Sequence, residues 1–281
     1  MKNIYDIINE KYDTMSKKHK ELAEFIRLNP DRVAFMNVKE ISTNTSVSEP
    51  TIIRFAYALG FDGFRSFSKA LQDGVKAKLT TLQRFNRFDT YTDDDLIHAA
   101  LKNDLKDINT MLNEIDTKLL IDASVSIKNC RNIYILGSRS SYYLAGYLNF
   151  YLNLISLNSN LLQIGPTETM EQLINATDKD VLIAISFPRY TKRSSKVVEF
   201  AVSKNIKIIS ITDGLNSPIA KLSNIVLQSP MTMTSYIDSL VAPLALINAL
   251  LLTIGKEMEI DIKGYFKELE DIWHEYDIFE K

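Results

Sequence analysis

The sequence contains few of the residues that build disulfide frameworks or metal sites. It has one cysteine, Cys130, in 281 residues, which excludes an internal disulfide framework and a zinc site built on cysteine ligands. Its three histidines, His19, His98 and His274, are far apart and have no metal-ligand spacing. We therefore expect no metal, no cofactor and no chemical role for the thiol.

Long hydrophobic runs are also absent. The longest apolar segment, 240–254, is interrupted by Pro243 and Asn248 and falls short of the roughly 20 apolar residues that a transmembrane helix needs. Residues 1–6 lack the basic-then-apolar pattern of a signal peptide. We expect a cytoplasmic protein that makes no membrane contact.

Charge is distributed unevenly, although the net charge is only −2. Residues 1–88 carry 15 Lys and Arg against 10 Asp and Glu, a net charge of +5, so the remaining residues carry −7. A basic N-terminal segment followed by an acidic remainder fits a protein whose N-terminal module contacts nucleic-acid phosphates. Basic surface helices are common, so charge alone is weak support.

Hydrophobic spacing divides the chain into a helical N-terminal domain and a larger α/β domain. We predict an all-α domain at 1–79, a linker at 80–94 and a larger domain at 95–281. In the larger domain, apolar runs of strand length alternate with segments of helix length, which is typical of a doubly wound parallel sheet with helices on both faces. The predicted strands are 132–136, 160–163, 181–186, 206–212 and 224–228, and further helices are predicted at 235–254 and 260–276.

The helix predicted at 48–59 has an apolar face and a short polar face, and Gly60 is a good C-terminal stop. The residues at i, i+3, i+4 and i+7 would pack inward: Ile52, Phe55, Ala56 and Leu59. The opposite face would fit the major groove of DNA, with Ser48 and Thr51 near phosphates and Arg54 on a phosphate or a guanine edge. From spacing alone, an ordinary amphipathic core helix is an equal alternative.

A resemblance favours the DNA-binding alternative. The segment 47–67, with Ser48, Thr51 and Arg54 followed by Leu59-Gly60-Phe61 and Gly63-Phe64, closely resembles the helix-turn-helix of the RpiR/MurR family of bacterial regulators. The resemblance implies that Lys39 and Arg65 contact the DNA backbone. As exposed charges, these two are also explained as solvated surface residues.

Two strand ends in the larger domain carry hydroxyls and arginines. In an open α/β sheet, ligands bind beyond the carboxyl ends of the strands, where helix N-termini offer free N–H groups. The candidate residues are Ser138, Arg139, Ser140 and Ser141 after the first strand, and Ser186, Arg189, Tyr190, Thr191 and Arg193 after the third. One such loop would be an ordinary connection with a hydroxyl N-cap, but two together favour a site for a small anion. Glu168 would accept hydrogen bonds from ligand hydroxyls, or lie on a solvated helix face.

Residues 132–229 resemble the SIS domain, a sugar-isomerase-type module that binds phosphosugars and that follows the helix-turn-helix in RpiR-type regulators. The segment Ile211-Thr212-Asp213, followed by Ser217-Pro218-Ile219-Ala220, resembles a pattern of Thr, Ser-Pro and Leu-Ala that is common in this domain. The phosphate loop departs from it, because the usual Ser-x-Ser-Gly-x-Thr is here Ser186-Phe187-Pro188-Arg189-Tyr190-Thr191. This change removes a glycine and adds a guanidinium that suits a carboxylate as well as a phosphate. A phosphosugar and a sugar acid are therefore both candidate ligands.

An enzyme is the main alternative, because SIS-type modules also occur in isomerases. Aldose–ketose isomerisation needs a general acid and base, usually Glu or His, and no histidine follows a predicted strand. We expect no catalytic residue and no enzymatic activity. A sugar-phosphate isomerase, or a ligand-binding module without regulatory DNA binding, remains the alternative.

The helix predicted near the C-terminus suggests self-association. Residues 240–250 are apolar almost all round, so they must be buried in the core or against another subunit. Because helix-turn-helix proteins usually bind two half-sites as dimers, we expect a homodimer or homotetramer. The sequence thus predicts a transcriptional regulator that binds a double-stranded DNA operator under the control of a small anionic, sugar-derived metabolite.

Overall fold

The computed structural model describes residues 4–76, 81, 92–163, 168–232, 236–258 and 262–280. The chain divides into two compact units, Met1–Arg87 and Phe88–Lys281. The linker expected at 80–94 lies mostly outside the described residues.

The N-terminal unit is helical in all of its described elements. They are α1 (Ile4–Lys11), α2 (Lys17–Leu28), α3 (Pro30–Val33), α4 (Val38–Thr45), α5 (Glu49–Leu59) and α6 (Phe64–Lys76). A capping box starts α4, in which the Asn37 side chain accepts the Glu40 N–H and the Glu40 carboxylate accepts the Asn37 N–H. The buried rings of Phe55 and Phe67 meet edge to face with centroids 5.7 Å apart, so α5 and α6 share one small core.

The C-terminal unit alternates helices and strands, as the sequence predicts. Its elements are α7 (Asp93–Glu114), α8 (Thr117–Lys128), β1 (Ile133–Gly137), α9 (Ser141–Leu154), β2 (Ser159–Leu161), β3 (Val181–Ile185), α10 (Lys192–Ser203), β4 (Lys207–Thr212), β5 (Ile225–Gln228), α11 (Val241–Glu257) and α12 (Ile262–Glu275). The five strands lie in the order β2-β1-β3-β4-β5 and every neighbouring pair is parallel. This order is that of flavodoxin-like doubly wound sheets, and the predicted fold class is confirmed.

Apolar side chains cover both faces of the sheet because successive strand residues point to opposite sides. On one face, Ile183 and Ile209 pack into a core with residues of α8, α9 and α11. On the other face, Leu182 and Ile208 pack against α10. Because both faces are covered, a ligand site has to form among the loops at the ends of the strands. In open α/β sheets, ligands bind beyond the carboxyl ends.

The helix predicted at 235–254 begins later than expected, at Val241. Pro243 lies in its first turn, where the missing N–H would have no intrahelical partner. Residues 236–240 precede the helix, and residue 235 lies outside the described residues. Leu246, Ile247 and Leu250 of this helix are buried in the core of the unit, and Asn248 and Leu252 on its other side are exposed.

A buried carboxylate ties the amino ends of β1 and β3 together. The Arg131 guanidinium donates to both oxygens of Asp180, with Nε–Oδ1 at 3.0 Å and Nη2–Oδ2 at 2.6 Å. The Asn132 amide donates to Oδ1 at 2.9 Å, and the Thr177 N–H donates to Oδ2 at 2.7 Å. Burial raises the pKa of Asp180, but these donors outweigh it and hold the pKa below its ordinary value. This cluster lies at the edge of the sheet opposite the candidate ligand loops.

Candidate functional site

The polar face of α5 is exposed, and its three predicted DNA-contacting residues form one group. The apolar residues of the predicted inward face are all buried. Ser48 has the extended N-cap conformation, but its side chain caps no backbone N–H. Its hydroxyl is instead bonded to that of Thr51 at 2.8 Å, and Arg54 Nη2 donates to Thr51 Oγ1 at 3.4 Å. Pro50 has no N–H, and the Thr51 N–H donates to the Ser48 carbonyl oxygen at 2.9 Å, so the groups that this turn can offer to a phosphate are the hydroxyls and the Arg54 guanidinium.

The other two predicted DNA contacts flank this helix in the same unit. Lys39 is exposed in the first turn of α4, and Arg65 is exposed at the start of α6. A three-residue turn with Ser46 in the left-handed conformation, φ 55°, separates α4 from α5. The pair α4–α5 thus has the helix-turn-helix arrangement.

His19 is a neighbour of the recognition helix that sequence reasoning does not identify. Its ring meets Phe55 edge to face at 5.3 Å. Burial lowers the pKa of His19, and the nearby Arg54 charge lowers it further. Because α2 and α5 are distant in sequence, no local signal could have paired these residues.

The β1 loop is held tightly against the start of α9. A Cβ atom on Gly137 would lie 2.4 Å from the Ser141 carbonyl oxygen and 2.8 Å from the Ala145 Cβ. Glycine is therefore required here by close approach and not by backbone dihedrals. Ser141, in the first turn of α9, therefore lies directly against Gly137, the last residue of β1.

The loops after β1 and β3 meet through hydroxyl groups. Ser138 Oγ and Ser194 Oγ are 2.9 Å apart, and Ser194 Oγ lies 2.8 Å from Thr191 Oγ1. Thr191 caps α10 by accepting the Ser194 N–H at 3.1 Å. Since Gly137 and Ile185 are paired in the sheet, this chain of hydroxyls joins two adjacent strand ends at the N-terminus of a 12-residue helix.

Arginines occupy left-handed backbone positions in both loops. Arg139 has φ 57° and Arg189 has φ 67°, and both side chains are exposed. A left-handed conformation costs a non-glycine residue roughly 1–2 kcal/mol. At position 189, the arginine therefore keeps the backbone conformation that glycine would adopt freely.

The remaining predicted ligand residues fall into buried and exposed groups. Ser141 and Ser186 are buried, whereas Ser140 is exposed. Arg193 Nη2 forms an ion pair with Glu168 Oε2 at 3.2 Å, and the Glu168 side chain is 65% exposed. Glu168 is therefore exposed outside any helix, and its partner in the structure is a protein side chain.

Tyr190 bonds to a residue beyond β4 that was not among the predicted site residues. Its hydroxyl donates to Asp213 Oδ1 at 2.6 Å, and Thr212 Oγ1 donates to the same oxygen at 3.1 Å. Sequence reasoning also missed Ser194, although a serine three positions after a threonine N-cap at a basic helix start was a usable signal. The structure therefore brings residues that follow β1, β3 and β4 to one edge of the sheet.

The described ranges contain neither a candidate metal cluster nor a helix that could span a membrane. No group of three or more His, Cys, Asp or Glu side chains there could hold a metal ion. None of the helices in that part of the chain combines the length and apolarity needed to cross a bilayer.

Comparison with known families matches both units in the same order. Residues 2–78 match the helix-turn-helix domain of the rpiR family, and residues 126–253 match the SIS domain. The chain belongs to the RpiR family of helix-turn-helix transcriptional regulators. An uncharacterised HTH-type transcriptional regulator of Clostridium perfringens is 27% identical over 86% of this chain and 88% of its own length. HexR of Pseudomonas aeruginosa, another HTH-type regulator, is 21% identical over 96% of this chain and 95% of its own.

Solved structures share the fold of this RpiR-family chain. NanR of Vibrio vulnificus, in complex with ManNAc-6P, covers 99% of this chain and 100% of its own, with a TM-score of 0.61 and 19% identity. The sugar isomerase domain of an RpiR transcription factor from Sphaerobacter thermophilus covers 61% of this chain and 96% of its own, with a TM-score of 0.58 and 22% identity. The predicted family and the predicted two-part fold are both confirmed.

Proposed function

We propose that this RpiR-family regulator binds operator DNA through α5 and binds a phosphosugar at the loops after β1 and β3. The observation that carries the ligand half of the proposal is the chain of hydroxyls from Ser138 through Ser194 to Thr191, because it joins two strand ends at a helix N-terminus. The unit boundaries that we propose for function are 1–79 for DNA binding and 95–281 for sensing and assembly.

The argument for DNA binding rests on the exposed side of α5. Ser48, Thr51 and Arg54 lie on it as one polar group. Lys39 on α4 and Arg65 on α6, the helices that precede and follow α5, add positive charge. The net charge of +5 over residues 1–88 favours binding to phosphates. We assign base contact to Arg54 and backbone contact to the other four.

The argument for a phosphate ester rests on the sensing loops. Helices α9 and α10 both begin at this edge of the sheet, so the positive ends of their dipoles favour an anion. Arg139 and Arg189 supply fixed charges, and Arg189 keeps the left-handed backbone expected of the glycine in a phosphate loop. The fold neighbour NanR is complexed with ManNAc-6P, which supports a phosphosugar over a sugar acid.

We propose that this site senses its ligand and does not isomerise it. Glu168, which was predicted to accept hydrogen bonds from ligand hydroxyls, is largely exposed and paired with Arg193. His98 and His274 are exposed on helices α7 and α12, and His19 belongs to the other unit. Asp213, the carboxylate that follows β4 at this edge, accepts hydrogen bonds from the Tyr190 and Thr212 hydroxyls. A regulator of this kind would act in the cytoplasm as a homodimer or homotetramer.

The DNA-binding half is tested with sites selected by the full-length protein from a random duplex library. Arg54→Ala is expected to weaken binding to the selected sequence by roughly 5- to 150-fold, the effect of about 1–3 kcal/mol. Arg27→Ala is the matched control, because Arg27 is an exposed arginine of the same unit paired with Glu24. Equal loss in both variants would show that only general charge matters.

The ligand half is tested by thermal unfolding of the full-length protein with ManNAc-6P, glucose 6-phosphate, their unphosphorylated sugars and gluconate. A ligand at about 100 times its Kd should add roughly 2.7 kcal/mol to the unfolding free energy. Arg139→Ala should remove this gain, whereas Lys179→Ala, at an exposed lysine that precedes β3, should retain it. Stabilisation by gluconate alone would redirect the site to sugar acids. Conversion of a phosphosugar to a second product would favour the isomerase.

A further inference from the structure

One histidine of the N-terminal unit lies beside the arginine that we assign to the bases of DNA. His19, in the first turn of α2, is half-buried, and its ring meets the buried ring of Phe55 edge to face at 5.3 Å. Phe55 follows Arg54 in α5, and the Arg54 charge is close enough to lower the pKa of His19. The imidazole of His19 therefore lies next to the polar face of α5.

The first turn of α2 carries charge of the sign that a helix start disfavours. Ser16 caps the helix, and Lys17, Lys18 and His19 follow it with no acidic residue among them. His19 occupies the N3 position, where a capping box has Glu or Gln. In α4 of the same unit, this position is Glu40, whose carboxylate completes the box. Because the positive end of a helix dipole disfavours cations, the stability of α2 does not explain the charge of this turn.

The side chains of this turn, and not its backbone, are what it offers to an anion. The His19 N–H donates to the Ser16 hydroxyl at 3.3 Å, and the Lys20 N–H donates to the Ser16 carbonyl oxygen at 2.9 Å. The Lys18 ammonium pairs with Glu21 at 2.7 Å. The imidazole of His19 is the group of this turn that packs against α5.

The surroundings of His19 disfavour its protonated form. Burial lowers the pKa of His19, and the Arg54 charge lowers it further. Helices α3, α4 and α5 pack against α2, and of the charged groups that they carry in the described residues, Arg54 is the one that acts on His19. The charged residues next to it in its own helix are Lys17, Lys18, Lys20 and Glu21. An external anion is therefore needed to stabilise the imidazolium.

A DNA phosphate would supply that anion. Helices next to a recognition helix run close to the sugar-phosphate backbone, and an opposite charge within a few ångströms favours the charged form of an imidazole. We propose that protonated His19 contacts a backbone phosphate next to Arg54, so that DNA binding is coupled to the uptake of a proton. This inference rests on the proposed function, which places α5 in the major groove.

The test is the affinity of the full-length protein for its selected duplex at constant ionic strength, by fluorescence anisotropy between about pH 6 and pH 8, where histidine titrates. The wild type should gain roughly 3- to 10-fold in affinity toward the acid end relative to His19→Gln, because a pKa raised by one unit corresponds to a factor of ten. His98→Gln is the matched control, since His98 is an exposed histidine on α7 of the other unit. It should show the pH dependence of the wild type.

His19→Lys separates a phosphate contact from a packing role. Lysine keeps its charge over this pH range, so the variant should bind at the alkaline end about as tightly as the wild type binds at the acid end. Its affinity should also fall more steeply with salt than that of His19→Gln, by about one phosphate contact. If His19→Lys binds no more tightly than His19→Gln at the alkaline end, His19 serves packing alone and the proposal is overturned.

Calorimetry of the wild type gives an answer even if a variant does not fold, which far-UV circular dichroism shows. The heat of binding in two buffers of different ionisation enthalpy gives the number of protons taken up, and we expect net uptake near neutral pH. No uptake, equal pH dependence in His19→Gln and the wild type, or a lost pH dependence in His98→Gln would each overturn the proposal. Tight binding without proton uptake refutes this inference alone, whereas a random library that yields no bound duplex at any pH refutes the DNA half of the proposed function as well.

Discussion

Replacement of Arg189 by glycine separates two effects of this residue: the strain of its left-handed backbone and the contribution of its charge to ligand binding. Arg189 has φ 67°, a conformation that costs a non-glycine residue roughly 1–2 kcal/mol. Glycine removes that strain but adds roughly 0.5–1 kcal/mol of unfolded-chain entropy. We expect Arg189→Gly to change the unfolding free energy of the free protein by about 0 to +1.5 kcal/mol. Loss of a charged hydrogen-bond donor should cost ligand binding roughly 1.5–3 kcal/mol, or about 10- to 150-fold in Kd.

Arg189→Ala is the matched control, since it loses the same charge and keeps the strained backbone. The two variants should bind a phosphosugar equally weakly, and the glycine variant should be more stable by about 1 kcal/mol. Urea unfolding measures stability, and the shift of the melting temperature with ManNAc-6P or glucose 6-phosphate measures binding. Unchanged binding in both variants would show that the Arg189 charge does not contact the ligand. A glycine variant less stable than the alanine variant would refute the argument from strain.

Three other predictions concern titration and reactivity. The pKa of Asp180 is held below its ordinary value, so its stabilising effect is present above about pH 4 and is lost as pH falls through the folded pKa; Asp180→Asn should flatten the acid limb of a plot of urea midpoint against pH, and an unchanged limb would contradict this. The pKa of His19 is lowered, so stability should decline as pH drops below about 6.5. Melting temperatures measured across this pH range should show a smaller decline in His19→Gln. Burial raises the pKa of Cys130 to about 11, so its thiol should react slowly with a disulfide reagent at pH 8 in the native protein and rapidly in urea, and rapid native reaction would contradict this burial.

The elements and the order of the domains follow from local patterns. Strand-length apolar runs predicted all five strands to within two residues of their observed ends, because each run is buried on both faces of a parallel sheet. The start of α11 was misplaced by six residues, since an apolar run does not by itself show where a first turn with Pro243 begins. Helical spacing identified the buried side of α5 for the same reason that it predicted the helix.

The contacts of the candidate site depend on tertiary geometry that spacing does not contain. The bond between Ser138 and Ser194 spans 56 positions, and that between Tyr190 and Asp213 spans 23. The ion pair between Arg193 and Glu168 likewise joins residues 25 positions apart. Which hydroxyl meets which partner is set by the register of the sheet, and the register becomes known only when all strands are aligned.

The close contact at Gly137 sets apart what selection can change in the β1 loop from what it cannot. Arg139 and Ser140 are exposed, so their replacement could retune the ligand at little structural cost. Any side chain at position 137 would collide with the backbone of the next helix, and no neighbouring substitution could relieve the clash. New specificities within this scaffold should therefore arise by exchange of loop side chains on an invariant glycine, and variation at that position would mark a chain in which α9 begins elsewhere.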